Sequence, residues 1–415
     1  MRRPALAPLL RPGDMLMWSQ GAAEPVDLIR EALAALPDLG DLAVFLAGGY
    51  ARLIGPDADP RLRIHGMGAV GSNRALCAAG RMQVHPVNLS QLPFLLEHGI
   101  VPVSVVLLQT GPAGPAGQTS PGGVQPFARY ALPRARVAMA EINAAAPRTR
   151  TRHPLDLARF DGVVETERPL IEVPQPEPGA LDRQIAQHAA ALIRDGDILQ
   201  IGIGTLPTAI LHALHGHRHL GLHSGVIGDA VMPLIDSGVI DNSLKTRDPG
   251  LTVTGALAGS AALYQFADDN PALLLEPVHY THAPETLARL RNFVAVNSAI
   301  EVDLTGQAAS EIAGRRYLGT IGGQVDFVRG ALASEGGRSL ICLPSRTAKG
   351  HARIVAGLSS GIVTLPRAEA DIVVTEWGHA TLRGLSVQER ARRMIAIAHP
   401  DDRDGLERAA RELPG

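Results

Sequence analysis

The stretch "DILQIGIGTLPTAILHAL", Asp197–Leu214, decides the fold. A short apolar run reaches two closely spaced glycines, and a segment with helical apolar spacing follows at once. That is a strand, a tight loop and a helix, the unit from which open α/β sheets are assembled. Gly202 and Gly204 let the backbone approach a ligand closely, and the N–H groups that open the helix at Thr205 offer an anion or oxyanion site. A dinucleotide fingerprint would need a third glycine and an acidic residue about 20 positions on. Here Pro207 stands near the third glycine position, and Leu222, His223 and Ser224 stand near the acidic one. A tight turn with no ligand is the plain alternative.

The same unit recurs outward from this stretch. "GDMLMWSQ" reads as a short strand, and "EPVDLIREALAAL" as an amphipathic helix with Leu28, Ile29, Leu33 and Leu36 on one side. "DLAVFLAG" and "IVPVSVVLLQ" are continuous apolar runs, which fit a parallel sheet covered on both faces. Glycine and proline thicken over 111–126, which predicts a mobile loop. Three prolines in "LIEVPQPEPGALD", Leu170–Asp182, mark the best linker. A second series follows: a helix over 182–194, the opening stretch, a strand "LGLHS" and a helix "DAVMPLIDSG". Further strands are expected at "FVAVNSA", "SLICLPS", "GIVTLP" and "DIVVTEWG", then helices at "VQERARRMIAIA" and "DDRDGLERAARE". The expectation is an α/β protein of two open domains with largely parallel sheets, residues 1–180 and 181–415, and a ligand cleft between them at the strands' carboxyl ends.

Bulk properties agree. A chain of 415 residues exceeds one ordinary core. It is 46% hydrophobic and 19% charged, with a net charge of −2 and no basic run, which argues against a nucleic-acid partner. No apolar segment approaches the roughly 20 residues of a membrane helix. Pro4, Pro8 and Pro12 interrupt the positively charged N-terminus, so no signal peptide is expected. Cys77 and Cys342 lie far apart in sequence, which argues against a disulfide framework or a cysteine zinc site. A cytoplasmic protein is the expectation.

Several stretches have the residue types for chemistry. "GTIGGQVDFVRGA" places Gly322 and Gly323 before an amphipathic segment, where free N–H groups would face a carbonyl oxygen or simply form a turn. In "NSAIEVDLTGQAASE", Glu301 and Asp303 share a strand face, giving either a carboxylate pair or an exposed acidic edge. "HALHGHRHLGLHS" has five histidines, but no metal-ligand spacing accompanies them, and a solvated loop is the better reading. "TEWGHATLRG" offers Glu376, His379 and Arg383, which a buried ion pair explains as well as chemistry does.

Taken in order, "DILQIGIGTLPTAIL", "DNPALLLEPVHYTHAPETLARL", "VAVNSAIEVDLTGQ", "GGQVDFVRGA", "VVTEWGHATLRG" and "RARRMIAIAHPDD" resemble the acetyl-CoA hydrolase/transferase family, of the 4-hydroxybutyrate CoA-transferase type. The resemblance covers about residues 165–410. "RPGDM", "GAAEP", "LSQLPFLLEHGIVPVSVVLLQ" and "VAMAEINAAAPRT" extend it more loosely into the first half. It implies a class I CoA-transferase with two related α/β domains, coenzyme A or acyl-CoA as substrate, no metal, a carboxylic acid as possible second substrate, and a homodimer or higher oligomer. A glutamate would attack the thioester and pass through an anhydride to an enzyme–CoA thioester. Oxyanion donors would come from around Gly204 and from Gly322 or Gly323, and Gln324 and Val325 would help hold the pantetheine arm.

Two segments depart from the family. Where it has a stretch like "HSEMISDG", this chain has "HSGVIGDA", so the nucleophile's position falls on Gly225. Where it has one like "DVALIQVSPPDEHG", this chain has "SVVLLQTGPAGPAG", with Ser104 replacing an aspartate and the loop's Asp and His gone. Both losses are expected near the acyl site. Three readings follow: hydrolysis or direct transfer without the glutamyl step, with Glu24, Asp229, Glu301 and Glu376 as candidate bases; an ordinary CoA-transferase using another carboxylate; and a non-catalytic homologue that binds acyl-CoA or a partner.

Overall fold

The computed structural model describes residues 5–114 and 116–413; Met1–Pro4, within the N-terminal stretch read for a signal, and Pro115, within the 111–126 loop, lie outside them. The chain packs as two compact units. One comprises 1–174 with 253–281, and the other 175–252 with 282–415. No local pattern marks the return segment 253–281. Main-chain bonds tie it into the first unit, from Gln125 N to the Gly255 carbonyl and from Leu275 N to the Arg150 carbonyl, both 2.8 Å.

The first unit is built on seven strands: β1 (Met15–Trp18), β2 (Leu42–Leu46), β3 (Leu62–Gly66), β4 (Met82–Val84), β5 (Val105–Thr110), β6 (Val137–Asn143) and β7 (Gly162–Thr166). Their order is β4-β3-β2-β1-β5-β6-β7, and every pairing is parallel. β2 and β5 are buried along their whole length, which is why they read as unbroken apolar runs rather than alternating ones. Helix α1 (Val26–Leu39) buries Leu28, Ile29, Ala32 and Leu36 against this sheet. Its apolar spacing of three and four residues puts them on one face.

The second unit begins with helix α2 (Ala180–Ala190). Its six-stranded sheet contains β8 (Ile198–Ile201), β9 (Gly221–Leu222), β10 (Phe293–Asn297), β11 (Arg338–Cys342), β12 (Ile372–Thr375) and β13 (Gly378–Thr381), in the order β9-β8-β10-β11-β12-β13. All pairings are parallel except β12 with β13, a hairpin at the edge. Helix α3 (Thr205–His212) follows β8, and α4 (Gln324–Ala333) precedes β11; α5 (Val387–Ala396) and α6 (Pro400–Ala410) close the chain. Ser386 opens α5 with a capping box, its hydroxyl accepting from Glu389 N while the Glu389 carboxylate accepts from Ser386 N.

In both sheets the strand order reverses once, between β1 and β5 in the first and between β8 and β10 in the second. In open α/β sheets, ligands bind at the carboxyl ends of the strands beside such a reversal.

One expected strand does not form. "GIVTLP" is an irregular segment with a single bridge from Leu365 to Ala308. Ile362 and Val363 are exposed, so this apolar run has no sheet to enter. The 111–126 loop is folded back on itself: Gly111 N donates to the Ser120 carbonyl, Gly114 N donates to the Gln118 carbonyl, and Gln118–Thr119 pair with Leu155–Asp156.

Candidate functional site

At the carboxyl edge of the second sheet, β8 ends in Gly202–Gly204 and β9 ends in His223–Gly225. Ser224 Oγ donates to the Ile201 carbonyl at 2.7 Å, and His223 N donates to the Leu199 carbonyl at 2.9 Å. The two loops are thereby laid side by side. Gly204 has φ +121°, a conformation that disfavours any side chain, and it hands the chain to α3 with no side-chain cap. The first N–H groups of that helix therefore point outward at the edge. The third element is the turn before α4. Gly322 has φ +58°, and Gly323 caps the helix without a side chain. Gln324 follows, 7% exposed, and its side-chain Nε2 is buried with no hydrogen-bond partner among the described residues. An unmatched donor in that position is what a ligand's oxygen would satisfy. Val325 is buried at the second helical position.

Gly225 and Gly323 meet at one residue that sequence reasoning missed, His282. A Cβ built on Gly225 would lie 2.8 Å from His282 Cε1 and 2.9 Å from its Nε2; one built on Gly323 would lie 2.6 Å from Cδ2 and closer still to Nε2. Phe327, one turn into α4, packs on the same ring with centroids 4.4 Å apart. His282 is 3% exposed, and burial pushes its pKa down to about 3. The ring is therefore a neutral imidazole at ordinary pH. Its sequence context, "HYTHAP", carries no motif by which it could have been picked out.

The candidate carboxylates are placed otherwise. Glu301 and Asp303 are buried on a short strand, so the exposed acidic edge does not occur. Nor do they act as a pair, because each serves its own loop. Glu301 accepts from Ser359 N at 2.6 Å and Ser359 Oγ at 2.9 Å. Asp303 accepts from Thr305 N and Oγ1 and from Gln307 N and Nε2. Glu376 accepts from Ser345 N at 2.8 Å and Ser345 Oγ at 2.5 Å. Arg383 pairs with Asp371 at 3.0 Å, so the ion pair expected within "TEWGHATLRG" has a partner from outside that stretch. Asp229 opens a short 3-10 turn after the Gly225 loop.

Glu24 belongs to the first unit, at the carboxyl end of β1 and hence beside that sheet's reversal. Gly21, Gly49 and Gly71 extend the ladder there through isolated parallel bridges. The Glu24 carboxylate lies over this rung, where a Cβ on Gly49 would stand 2.9 Å from Oε1. Oε2 accepts from Tyr50 N at 2.6 Å and Ala51 N at 2.7 Å. Burial raises the Glu24 pKa, against the lowering effect of those N–H groups and the Trp18 side chain. Trp18, Gln20, Glu24, Gly49 and Ser72 line a small chamber. Ser104 lies elsewhere, at the amino end of β5. There its hydroxyl donates to Asp14 Oδ1 at 2.7 Å and accepts from Met15 N at 3.1 Å. A residue that starts a strand cannot serve the edge where the strand ends, so the role of Ser104 is structural in this sequence, whereas the altered loop that begins at Gly111 follows the carboxyl end of β5.

The histidine-rich stretch is not a uniform solvated loop. His212, His215 and His219 are exposed, whereas His223 is fully buried. Among the described residues no three His, Cys, Asp or Glu side chains stand together as metal ligands, and no helix is long and apolar enough to cross a membrane.

Residues 259–410 match the acetyl-CoA hydrolase/transferase C-terminal domain. The 4-hydroxybutyrate coenzyme A transferase of Clostridium kluyveri is 35% identical over 395 residues, which is 94% of this chain and 92% of that one. The crystal structure of RipA from Yersinia pestis superposes with a TM-score of 0.91 at 34% identity, covering 99% of this chain and 96% of RipA. A 4-hydroxybutyrate CoA-transferase from Porphyromonas gingivalis superposes with a TM-score of 0.83 at 32% identity, over 98% and 96%. This chain therefore belongs to the acetyl-CoA hydrolase/transferase family, whose members act on coenzyme A thioesters.

Proposed function

We propose that this protein acts on acyl-CoA thioesters at the carboxyl edge of its second sheet, by hydrolysis or direct acyl transfer, without a covalent glutamyl–CoA intermediate. Gly225 takes the position of the family's attacking glutamate in this reading. The observation that carries it is the occupancy beside Gly225: the glycine has no nucleophile, and the space a side chain would enter is filled by the His282 ring. The N–H groups opening α3 and α4 polarise the thioester carbonyl, and the unmatched Gln324 Nε2 binds an oxygen of the pantetheine arm. Water or another nucleophile then attacks the activated carbon, and the CoA thiolate leaves.

A CoA-transferase that attacks through another carboxylate has less support. Glu24, Glu301 and Glu376 are each engaged by two hydrogen bonds from the protein's own loops, and freeing any of them would leave those donors unmatched. A homodimer or larger assembly belongs to the same proposal and is read by light scattering.

The test follows free thiol from acetyl-, butyryl- and succinyl-CoA, with and without an acceptor carboxylic acid, and then treats the acyl-CoA-loaded protein with borohydride. Thiol release that borohydride leaves intact, with no CoA retained on the protein, is the expected result. A trapped enzyme–CoA thioester would overturn the reading, and no thiol release with any substrate would leave the acyl-CoA-binding homologue in its place.

A further inference from the structure

The two glycines flanking His282 share a property that a turn alone does not require. Both are partly exposed, whereas the ring behind them is buried. A Cβ at either position would lie against the same ring edge, with Nε2 within 2.9 Å in the case of Gly225. Separations under 3.0 Å are ones that real Cβ atoms essentially never show. Glycine at both positions therefore keeps a Cβ out of the space that the imidazole edge occupies. Phe327 holds the ring from α4, so the edge stays aimed at the two glycines.

Resting on the acyl-CoA reading above, we propose that His282 is the catalytic base of this site, and that Gly225 and His282 form one pair in which the imidazole takes the space and the proton-handling role of the missing carboxylate. A water oxygen bonds to the thioester carbonyl carbon while its proton passes to the imidazole. The carbon–sulfur bond then breaks, and the imidazolium returns that proton to the departing sulfur. Acyl-CoA and water thus give a carboxylic acid and free CoA thiol, with the ring regenerated and no other reactant consumed. Gly225, Gly323 and Phe327, which lie against the ring, do not titrate, and burial is the cause of the ring's lowered pKa. Burial keeps the resting ring unprotonated, and the oxyanion forming beside it raises its proton affinity during the step that needs a base.

The experiment has two arms. In the first, His282→Gln and His282→Asn are compared with the wild type for acceptor-independent thiol release, with CoA affinity and thermal melting measured alongside. The expected loss in kcat is about 100-fold or more, with CoA affinity within about threefold, and the wild-type kcat/KM stays flat from pH 8 down to about pH 5 instead of falling near the usual histidine pKa. Release retained within about threefold by either folded variant overturns the base. In the second arm, Gly225→Glu is compared with Gly225→Glu/His282→Ala for a CoA thioester trapped on the protein, read by mass spectrometry. Only the double variant should trap CoA; trapping by the single variant overturns the shared space. If the wild type releases no thiol at all, the functional reading fails and the base falls with it, while the second arm still decides whether the ring fills the carboxylate's place.

Discussion

The carboxyl edges of the two sheets solve the same geometric problem with opposite residues. In the first unit, a rung of Gly21, Gly49 and Gly71 lies beneath a buried carboxylate, Glu24, which is held by two main-chain N–H groups. In the second, glycines at 225 and 323 face a buried imidazole, His282. Both edges lack side chains where the backbone must come close, and both bury one ionisable group behind the glycines. The buried groups differ in the protonation state that burial favours. Desolvation raises the pKa of Glu24 and lowers that of His282, and both shifts favour the neutral form. Burial therefore pushes the group at each reversal point toward its uncharged form, and the two respond to pH in opposite directions.

That opposition gives the largest expected effect. The folded-state pKa of His282 is below its unfolded value, so between about pH 3 and 6.5 the unfolded chain binds more protons, and stability falls as pH drops through that window. His282→Gln should remove on the order of 3 kcal/mol of the stability loss between pH 7 and pH 4. Glu24 behaves in the other sense. Its folded-state pKa is raised above the ordinary value, so its contribution is fully present below that ordinary value and is lost as pH rises through the folded-state pKa. Glu24→Gln should accordingly gain on the wild type as pH rises from 4 to 8. Urea unfolding at a series of pH values reads both, and the same sign of change in the two variants would break the comparison.

Truncation and addition separate the edges next. Glu24→Ala removes the acceptor of Tyr50 N and Ala51 N, and two orphaned donors cost about 2–3 kcal/mol. Glu24→Gln keeps an acceptor oxygen and should cost clearly less. In the second unit the damaging change is addition: Gly225→Ala places a methyl group 2.8 Å from the His282 ring and should cost about 1–2 kcal/mol, in the range of core overpacking. Adding His282→Ala should relieve part of that penalty, giving a measurable coupling in a double-mutant cycle. Additive penalties would mean that the ring moves away freely.

How much of this was legible in the sequence depends on the range of the interactions. Gly202 and Gly204 stand out in the sequence because strand–glycine–helix is a local pattern, Gly322 and Gly323 because they pair before an amphipathic segment, and the unbroken apolar runs of β2 and β5 announce a parallel sheet because both faces are covered. His282 was invisible: it lies 57 positions from Gly225 in sequence, 282 less 225, and no spacing rule links a histidine after a short helix to glycines in two other loops. "GIVTLP" failed for the converse reason, since it looks like a strand but Ile362 and Val363 meet water and, of its apolar residues, only Leu365 is buried. Glu301, Asp303 and Glu376 were picked by residue type, which gives no sign that each is already committed to a nearby serine, threonine or glutamine.

The smallest effect concerns Ser104, read from the sequence as standing in place of an aspartate, which sits at the wrong end of its strand to meet a substrate. Its hydroxyl joins Asp14 to the amino end of β1, accepting from Met15 N and donating to Asp14 Oδ1, while Asp14 also pairs with Arg136. Ser104→Ala removes one donor and one acceptor from a half-buried network and should cost about 1 kcal/mol. The lost bonds all lie at the amino end of β5, away from its carboxyl edge. Thiol release from acyl-CoA should stay within about twofold of the wild type, a difference of less than half a kcal/mol in barrier. A Ser104→Ala variant that unfolds normally yet loses acyl-CoA turnover would show that Ser104 has a chemical role after all, and that the second edge does not carry the reaction alone.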